Sequence, residues 1–147
     1  MQIIAQIEQK TGLSLGLNQL LQAPTISAIA QLLVQPTGPT TNIVRMRSGD
    51  DRQPLFLIHA GGPSVLFYQP LVQQLQSNRT IYGIESAFLH GQRPDLNTIE
   101  LVAQEYLQQI RALQPQGPYH FAGSSFGGIV AYEMAQQLQK QAIALPP

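Results

Sequence analysis

The stretch PYHFAGSSFGGIVAYEMAQQLQKQ, residues 118–141, decides the fold. Its first part, PYHFAG, is a short apolar run typical of a buried strand. Its last part carries Val130, Met134 and Leu138 at the spacing of one helix face. Glycines and serines join the two parts. A strand that turns through small residues directly into a helix indicates α/β architecture.

The same alternation of strand and helix patterns extends upstream to residue 43. PLFLIHAGG, residues 54–62, is a continuous apolar run that ends in glycines, as expected of a strand buried on both faces. IVRMR and TIYGIES are two further strand patterns, and residues 99–113 carry apolar side chains at helical spacing. The sequence therefore predicts an α/β fold with a mostly parallel sheet for residues 43–147.

Upstream of residue 43 the pattern changes twice. Residues 1–34 carry apolar side chains at helical spacing and predict a short all-helical segment, in which Thr25 is an N-cap. QPTGPTTN, residues 35–42, is rich in Pro, Gly and Thr without an apolar period, and we interpret it as a linker. Further along, Asn97 followed by Glu100 predicts a capping box for the next helix, which stops before Pro115.

Composition and charge exclude several classes of function. The 147 residues carry eight basic and eight acidic side chains, which argues against binding to nucleic acid or to anionic lipid. Cysteine is absent, which excludes disulfides, zinc–thiolate sites and a cysteine nucleophile. No run approaches the roughly 20 apolar residues of a membrane-spanning helix, and the start does not resemble a signal peptide. We expect a cytoplasmic protein without a metal site.

Residues 123–127, Gly-Ser-Ser-Phe-Gly, fit the G-x-S-x-G pattern of a nucleophile elbow. In this register Ser125 is the central residue and Ser124 occupies the variable position. A sharp strand-to-helix turn holds the central residue at strained dihedral angles and requires small residues on both sides. The hydroxyl then projects above the sheet at the positive end of a helix. The pattern predicts Ser125 as a nucleophile.

HAGG, residues 59–62, provides the second part of the expected site. In this architecture the developing oxyanion is bound by the amide after the nucleophile, that of Phe126, and by one amide of the earlier loop. The second donor is Ala60 or Gly61. The alternative is that both stretches are only glycine-rich turns. Their position at strand ends on the same side of the predicted sheet favours a site.

Residues 43–141 resemble the first half of the thioesterase domains that end nonribosomal peptide and polyketide synthetases. The matching stretches are PLFLIHAGGPSVLFYQPLVQQL, IYGIES and VAQEYLQQIRALQPQGPYHFAGSSFGGIVAYEMAQQL. The resemblance implies an incomplete α/β-hydrolase fold and transfer of an acyl or peptidyl chain from a phosphopantetheine arm to Ser125, then to water or an internal nucleophile. The family's oxyanion loop often reads His-Pro-Ala-Gly-Gly. This chain has His-Ala-Gly-Gly-Pro, in which Gly61 is the closest positional match.

Residues 1–34 are similar to the C-terminal half of a carrier (thiolation) domain, which precedes such thioesterases. The family's Gly-x-x-Ser attachment motif does not occur in them, and Ser14 and Ser27 lie in other contexts. The resemblance implies that this chain binds no cofactor itself. Its substrate is expected on the phosphopantetheine arm of a carrier domain of a synthetase, which is the expected partner.

A serine nucleophile needs a general base, which in this fold is a histidine that follows an acid later in the chain. The residues after Ser125 contain one acid, Glu133, and no histidine. Glu133 lies about 12 Å along the helix, and His120 lies about 16 Å back along the strand. His59 ends a neighbouring strand and is the closest substitute, although the family's usual role for this histidine is structural.

We therefore predict a thioesterase that is truncated after its elbow helix and is inactive alone. A stand-alone editing thioesterase or a lipase-like esterase is one alternative, against which the carrier-like start and the linker argue. The other is a non-catalytic fragment that binds a carrier domain or a complementary C-terminal thioesterase half. An interrupted sheet also predicts an open edge strand and marginal stability or association.

Overall fold

The computed structural model of the chain contains two compact units, Met1–Thr40 and Thr41–Pro147. The residues that the structure describes are 6, 7, 9, 10, 25–34, 41–90 and 96–141. Most of the predicted linker, residues 35–42, lies outside these ranges. The division into a helical segment, a linker and an α/β domain at these boundaries stays a prediction.

The described part of the first unit is helical. Helix α1 spans Ile26–Val34, and Thr25 directly precedes it. The Thr25 hydroxyl accepts a hydrogen bond from the Ala28 amide at 3.2 Å, and the Thr25 carbonyl accepts one from the Ile29 amide at 3.0 Å. These bonds satisfy amides that a helix start leaves without partners. They confirm Thr25 as the N-cap.

The second unit alternates strands and helices. Two short 3-10 turns, Leu66–Tyr68 and Ala87–His90, interrupt the alternation. The other elements are β1 (Ile43–Arg47), β2 (Asp50–Ile58), α2 (Gln69–Gln74), β3 (Arg79–Ile84), α3 (Ile99–Leu113), β4 (His120–Gly123) and α4 (Phe126–Lys140).

The four strands form one sheet in the order β1-β3-β2-β4. β2 runs parallel to both of its neighbours, whereas β1 runs antiparallel to β3. Ile58, the last residue of β2, pairs with Ile84 at the end of β3 and with Gly123 at the end of β4. The prediction of a mostly parallel sheet is confirmed. The carboxyl ends of three strands lie at one edge, where open α/β sheets place their sites.

Apolar side chains cover the sheet on both faces. Phe56 and Ile58 of β2 belong to a buried cluster that includes residues of α3 and α4. Leu57, between them, belongs to a second cluster with Val65 and Val72. Because successive side chains of a strand point to opposite faces, a strand covered on both faces needs apolar residues at every position. This requirement explains the unbroken apolar run at the end of β2.

Helix α3 begins one residue later than the predicted capping box. Thr98, not Asn97, is the N-cap, and its hydroxyl accepts a hydrogen bond from the Leu101 amide at 3.3 Å. Its backbone is extended, with φ −131° and ψ 156°, as an N-cap requires. The prediction of Asn97 was therefore wrong by one residue, because the adjacent Thr98 is also a suitable N-cap and occupies that position.

Candidate active site

The turn between β4 and α4 has the strained geometry that the G-x-S-x-G pattern predicts. Ser125 has φ 53° and ψ −120°, and it is the one non-glycine residue with a positive φ among those that the structure describes. Such a conformation costs on the order of 1–3 kcal/mol and persists only where the surrounding structure fixes it. The Gly127 amide bonds to the Ser124 carbonyl at 3.0 Å, so the helix starts at once after Ser125. The serine lies exposed at the sheet edge.

Two glycines make this turn possible. A Cβ atom on Gly123 would overlap the backbone of Gly127. A Cβ atom on Gly127 would overlap the Ile58 carbonyl oxygen and would lie 2.5 Å from the His59 carbonyl oxygen. The first turn of α4 therefore rests directly on the end of β2, and it brings the elbow to the loop that starts with His59.

His59 is buried, and both of its ring nitrogens have partners. Nδ1 lies 2.6 Å from the Ala60 carbonyl oxygen and 3.1 Å from that of Gly62, and Nε2 lies 2.8 Å from the Tyr106 hydroxyl. Because carbonyl oxygens only accept, Nδ1 carries the proton and the Tyr106 hydroxyl donates to Nε2. Burial, together with the nearby Glu105 carboxylate, raises the pKa of Tyr106 and keeps that hydroxyl protonated. The contacts favour a structural role for His59 over that of a general base.

Tyr106→Phe is expected to lower the free energy of unfolding by about 1–3 kcal/mol, because it leaves the buried Nε2 of His59 without a donor. Urea unfolding followed by circular dichroism measures the loss. Tyr132→Phe is the control, because the Tyr132 side chain is 68% exposed and only accepts a hydrogen bond from Gln136. It is expected to change stability by less than about 0.5 kcal/mol. Equal stability of the two variants would contradict the inference that the Tyr106 hydroxyl stabilises the buried His59 ring.

A buried carboxylate holds the rest of the same loop. Glu85 directly follows β3, and its Oε1 accepts hydrogen bonds from the Ser64 hydroxyl at 2.9 Å and from the Val65 amide at 3.2 Å. The Ser86 amide bonds to the Pro63 carbonyl at 2.9 Å. Sequence reasoning missed Glu85, although an acid directly after an apolar strand at this edge is a usable signal.

The amides predicted to bind an oxyanion belong to two segments that touch each other, the start of α4 and the HAGG loop. Phe126 is the first residue of α4, and the first amides of a helix have no partner within it. The Phe126 ring lies 5.4 Å from the His59 ring, so the start of α4 touches the HAGG loop. Ala60 and Gly61 follow His59 in that loop. The structure brings together the elbow and the loop that the sequence singled out.

The other candidate bases lie away from Ser125. His120 is the first residue of β4, at the opposite end of the strand from the elbow, and burial, with the nearby Arg79, lowers its pKa. Glu133 lies on α4 and accepts a hydrogen bond from Gln137 one turn later. In the part of the chain that the structure describes, no His, Asp and Glu side chains are grouped as a metal site requires. No helix there has the length and apolar content to cross a bilayer.

Comparison with known proteins identifies two families in the chain. Residues 53–146 match the family "Thioesterase domain", and residues 1–33 match "Phosphopantetheine attachment site". The malpibaldin synthetase of Mortierella alpina is 36% identical over 95% of this chain, and a dimodular nonribosomal peptide synthase of Bacillus subtilis is 34% identical over 95%. The chain spans 3% and 6% of the lengths of these two relatives.

A solved thioesterase shares the fold. The structure of the NocB thioesterase domain, in covalent complex with a fluorophosphonate nocardicin G analog, matches 63% of this chain with a TM-score of 0.56 and 29% identity. The match covers 40% of the NocB chain. The α/β fold is therefore that of α/β-hydrolase thioesterases. The chain belongs to the family of thioesterase domains found in peptide and polyketide synthetases, and a segment related to carrier domains precedes its thioesterase unit.

Proposed function

We propose that the thioesterase unit releases an acyl or peptidyl chain from the phosphopantetheine arm of a carrier domain, with Ser125 as the nucleophile. The observation that carries the proposal is the strained backbone of Ser125, φ 53°, at the edge where the HAGG loop meets the start of α4. The Ser125 oxygen attacks the thioester carbonyl, a C–O bond forms and the C–S bond breaks. The proton of the serine passes through a base to the leaving thiolate. Water or a nucleophile of the substrate then releases the chain.

The amides of Phe126 and Gly61 are the proposed oxyanion donors. The Ala60 carbonyl accepts a hydrogen bond from buried His59. In a trans peptide unit the N–H points opposite to the C=O, so the Gly61 amide points away from the histidine. This orientation supports the Gly61 amide as the donor from the loop, and the Phe126 amide is the proposed donor from the elbow.

We further propose that the general base comes from polypeptide outside these 147 residues, and that the chain is inactive without it. The sequence has no histidine after Ser125, and both ring nitrogens of His59 have partners. Among the strands that the structure describes, β4 lies at one edge of the sheet, and no described strand pairs with its outer side. On α4, Ile129 and Tyr132 are 59% and 68% exposed. This open edge and this apolar surface fit a complementary C-terminal part of a thioesterase.

The phosphopantetheine arm is proposed to belong to a carrier domain rather than to this chain's own serines. Ser27 lies on the exposed side of α1, and Ser14 lies outside the described residues. Neither lies in the attachment motif of the family. The relatives include a nonribosomal peptide synthase and a polyketide synthase, which supports a carrier domain as the partner.

Mass spectrometry of the chain after incubation with an acyl-pantetheine thioester tests the proposal. Three conditions separate the alternatives: the chain alone, the chain with imidazole as a diffusible base, and the chain with a complementary thioesterase C-terminal part. We expect an added acyl mass on the peptide that contains Ser125 in the second and third conditions only. Acylation in none of them would support the non-catalytic fragment that only binds. Acylation of the chain alone would contradict the need for an external base.

A further inference from the structure

Tyr68 lies under the elbow, at the end of the 3-10 turn Leu66–Tyr68. Its side chain is 6% exposed and packs against a cluster that includes Leu57 and Ile81. The hydroxyl donates a hydrogen bond to the Ile58 carbonyl at 2.9 Å and accepts one from the Ser124 amide at 2.7 Å. The hydroxyl proton therefore bonds to the last residue of β2, and the hydroxyl oxygen accepts the hydrogen bond from the elbow.

Both contacts of this hydroxyl lie where the sheet pairing stops. β2 and β4 pair as far as Ile58 and Gly123. The next residue of β2 is His59, which opens the HAGG loop, and the next residue of β4 is Ser124, which opens the elbow. The Tyr68 hydroxyl therefore bridges the Ile58 carbonyl and the Ser124 amide, directly beyond the last paired residues of the two strands. Ser124 lies beyond the last paired residue of β4, and its partly buried amide finds its partner in the Tyr68 hydroxyl.

The hydroxyl keeps this role over a wide range of pH. Burial raises the pKa of Tyr68, although the bond from the Ser124 amide acts in the opposite direction. The phenol therefore stays protonated at neutral pH and continues to donate to the Ile58 carbonyl. An ionised phenolate would lose this donor and would face a carbonyl oxygen.

We propose that Tyr68 is a positioning residue for acyl transfer, whose hydroxyl sets the distance between the elbow and the HAGG loop. This inference rests on the proposed function, because the two amides on either side, Phe126 and Gly61, act together only if an oxyanion forms there. Losing one oxyanion donor costs about 10²–10³ in kcat, and a displacement of about 1 Å costs about 10². Removal of the hydroxyl is expected to slow acylation about 100-fold.

Tyr68→Phe tests the inference, because it removes the hydroxyl alone. Tyr119→Phe is a matched control, since Tyr119 is 2% exposed and its hydroxyl donates to the Gln114 carbonyl at 3.1 Å. Both variants lose a buried hydroxyl bonded to a backbone carbonyl, so a similar loss of stability is expected. Two quantities are measured on the 147-residue chain: the rate of fluorophosphonate labelling of Ser125 in imidazole, and hydrogen exchange of the Ser124 amide by NMR.

Tyr68→Phe is expected to label about 100-fold more slowly at unchanged probe affinity and to exchange the Ser124 amide faster. Tyr119→Phe is expected to match the wild type in both. If Tyr68→Phe labels at the wild-type rate, or if both variants slow equally, the inference is overturned. If Tyr68→Phe does not fold, 4-aminophenylalanine is placed at position 68, because its amino group keeps a donor and an acceptor. This protein is expected to retain the wild-type labelling rate. If it folds but labels slowly, the inference is overturned.

The two readouts also separate this inference from the proposed function. A wild-type chain that never labels contradicts the role of Ser125 but does not affect the exchange measurement. Unchanged exchange of the Ser124 amide in Tyr68→Phe overturns the positioning role. Faster exchange confined to the elbow supports it even if labelling fails.

Discussion

Ser125→Ala is expected to reduce the release of a thioester-bound acyl chain to the uncatalysed background. The rate falls about 10⁶-fold when the complementary thioesterase part supplies the base. The hydroxyl forms the new C–O bond, and no other described nucleophile lies at the central position of the elbow. Ser124→Ala is the matched control, because it removes the same atoms from an exposed neighbour and keeps the amide that bonds to Tyr68. It is expected to retain most of the rate.

Release of free thiol from an acyl-pantetheine thioester measures both variants, in the presence of the complementary thioesterase part. Circular dichroism establishes that each variant folds. A Ser125→Ala protein that retains the wild-type rate would show that the strained serine is not the nucleophile. A loss of rate in Ser124→Ala equal to that in Ser125→Ala would point to damage of the turn rather than to loss of a reactive group.

The elbow and the HAGG loop were predictable because each has a local signature. The two glycines on either side of the elbow are required by backbone contacts within a few residues or at the neighbouring strand end, and the strand and helix patterns around Ser125 are periodic. Their placement at one edge follows from the parallel sheet alone.

The side chains that hold the site could not be found in this way. Tyr68 contacts Ser124, which lies 56 residues later, and Glu85 contacts Ser64, which lies 21 residues earlier. A buried tyrosine and an acid after a strand have many possible partners, and only the tertiary structure selects one. The start of α3 shows the same limit on a small scale, since Asn97 and Thr98 are adjacent and either side-chain type can cap a helix.

Gly127→Ala is expected to destabilise the thioesterase unit by about 3 kcal/mol, the upper part of the range for an overpacked site. Within a helix, alanine is favoured over glycine by about 1 kcal/mol, so propensity alone predicts the opposite sign. The contact decides the outcome, because the new Cβ would overlap the Ile58 carbonyl and lie 2.5 Å from the His59 carbonyl. Both are backbone atoms at the end of a central strand, and neither can move without breaking the sheet edge.

Urea unfolding at equilibrium measures this loss, with Gly62→Ala as the control. A Cβ atom on Gly62 has no atom within 4 Å, and the backbone there does not have the positive φ that disfavours alanine. Gly62→Ala is therefore expected to change stability by less than about 0.5 kcal/mol. If Gly127→Ala were as stable as Gly62→Ala, α4 could not rest on the end of β2 as described. The elbow would then lack the support that holds Ser125 at φ 53°.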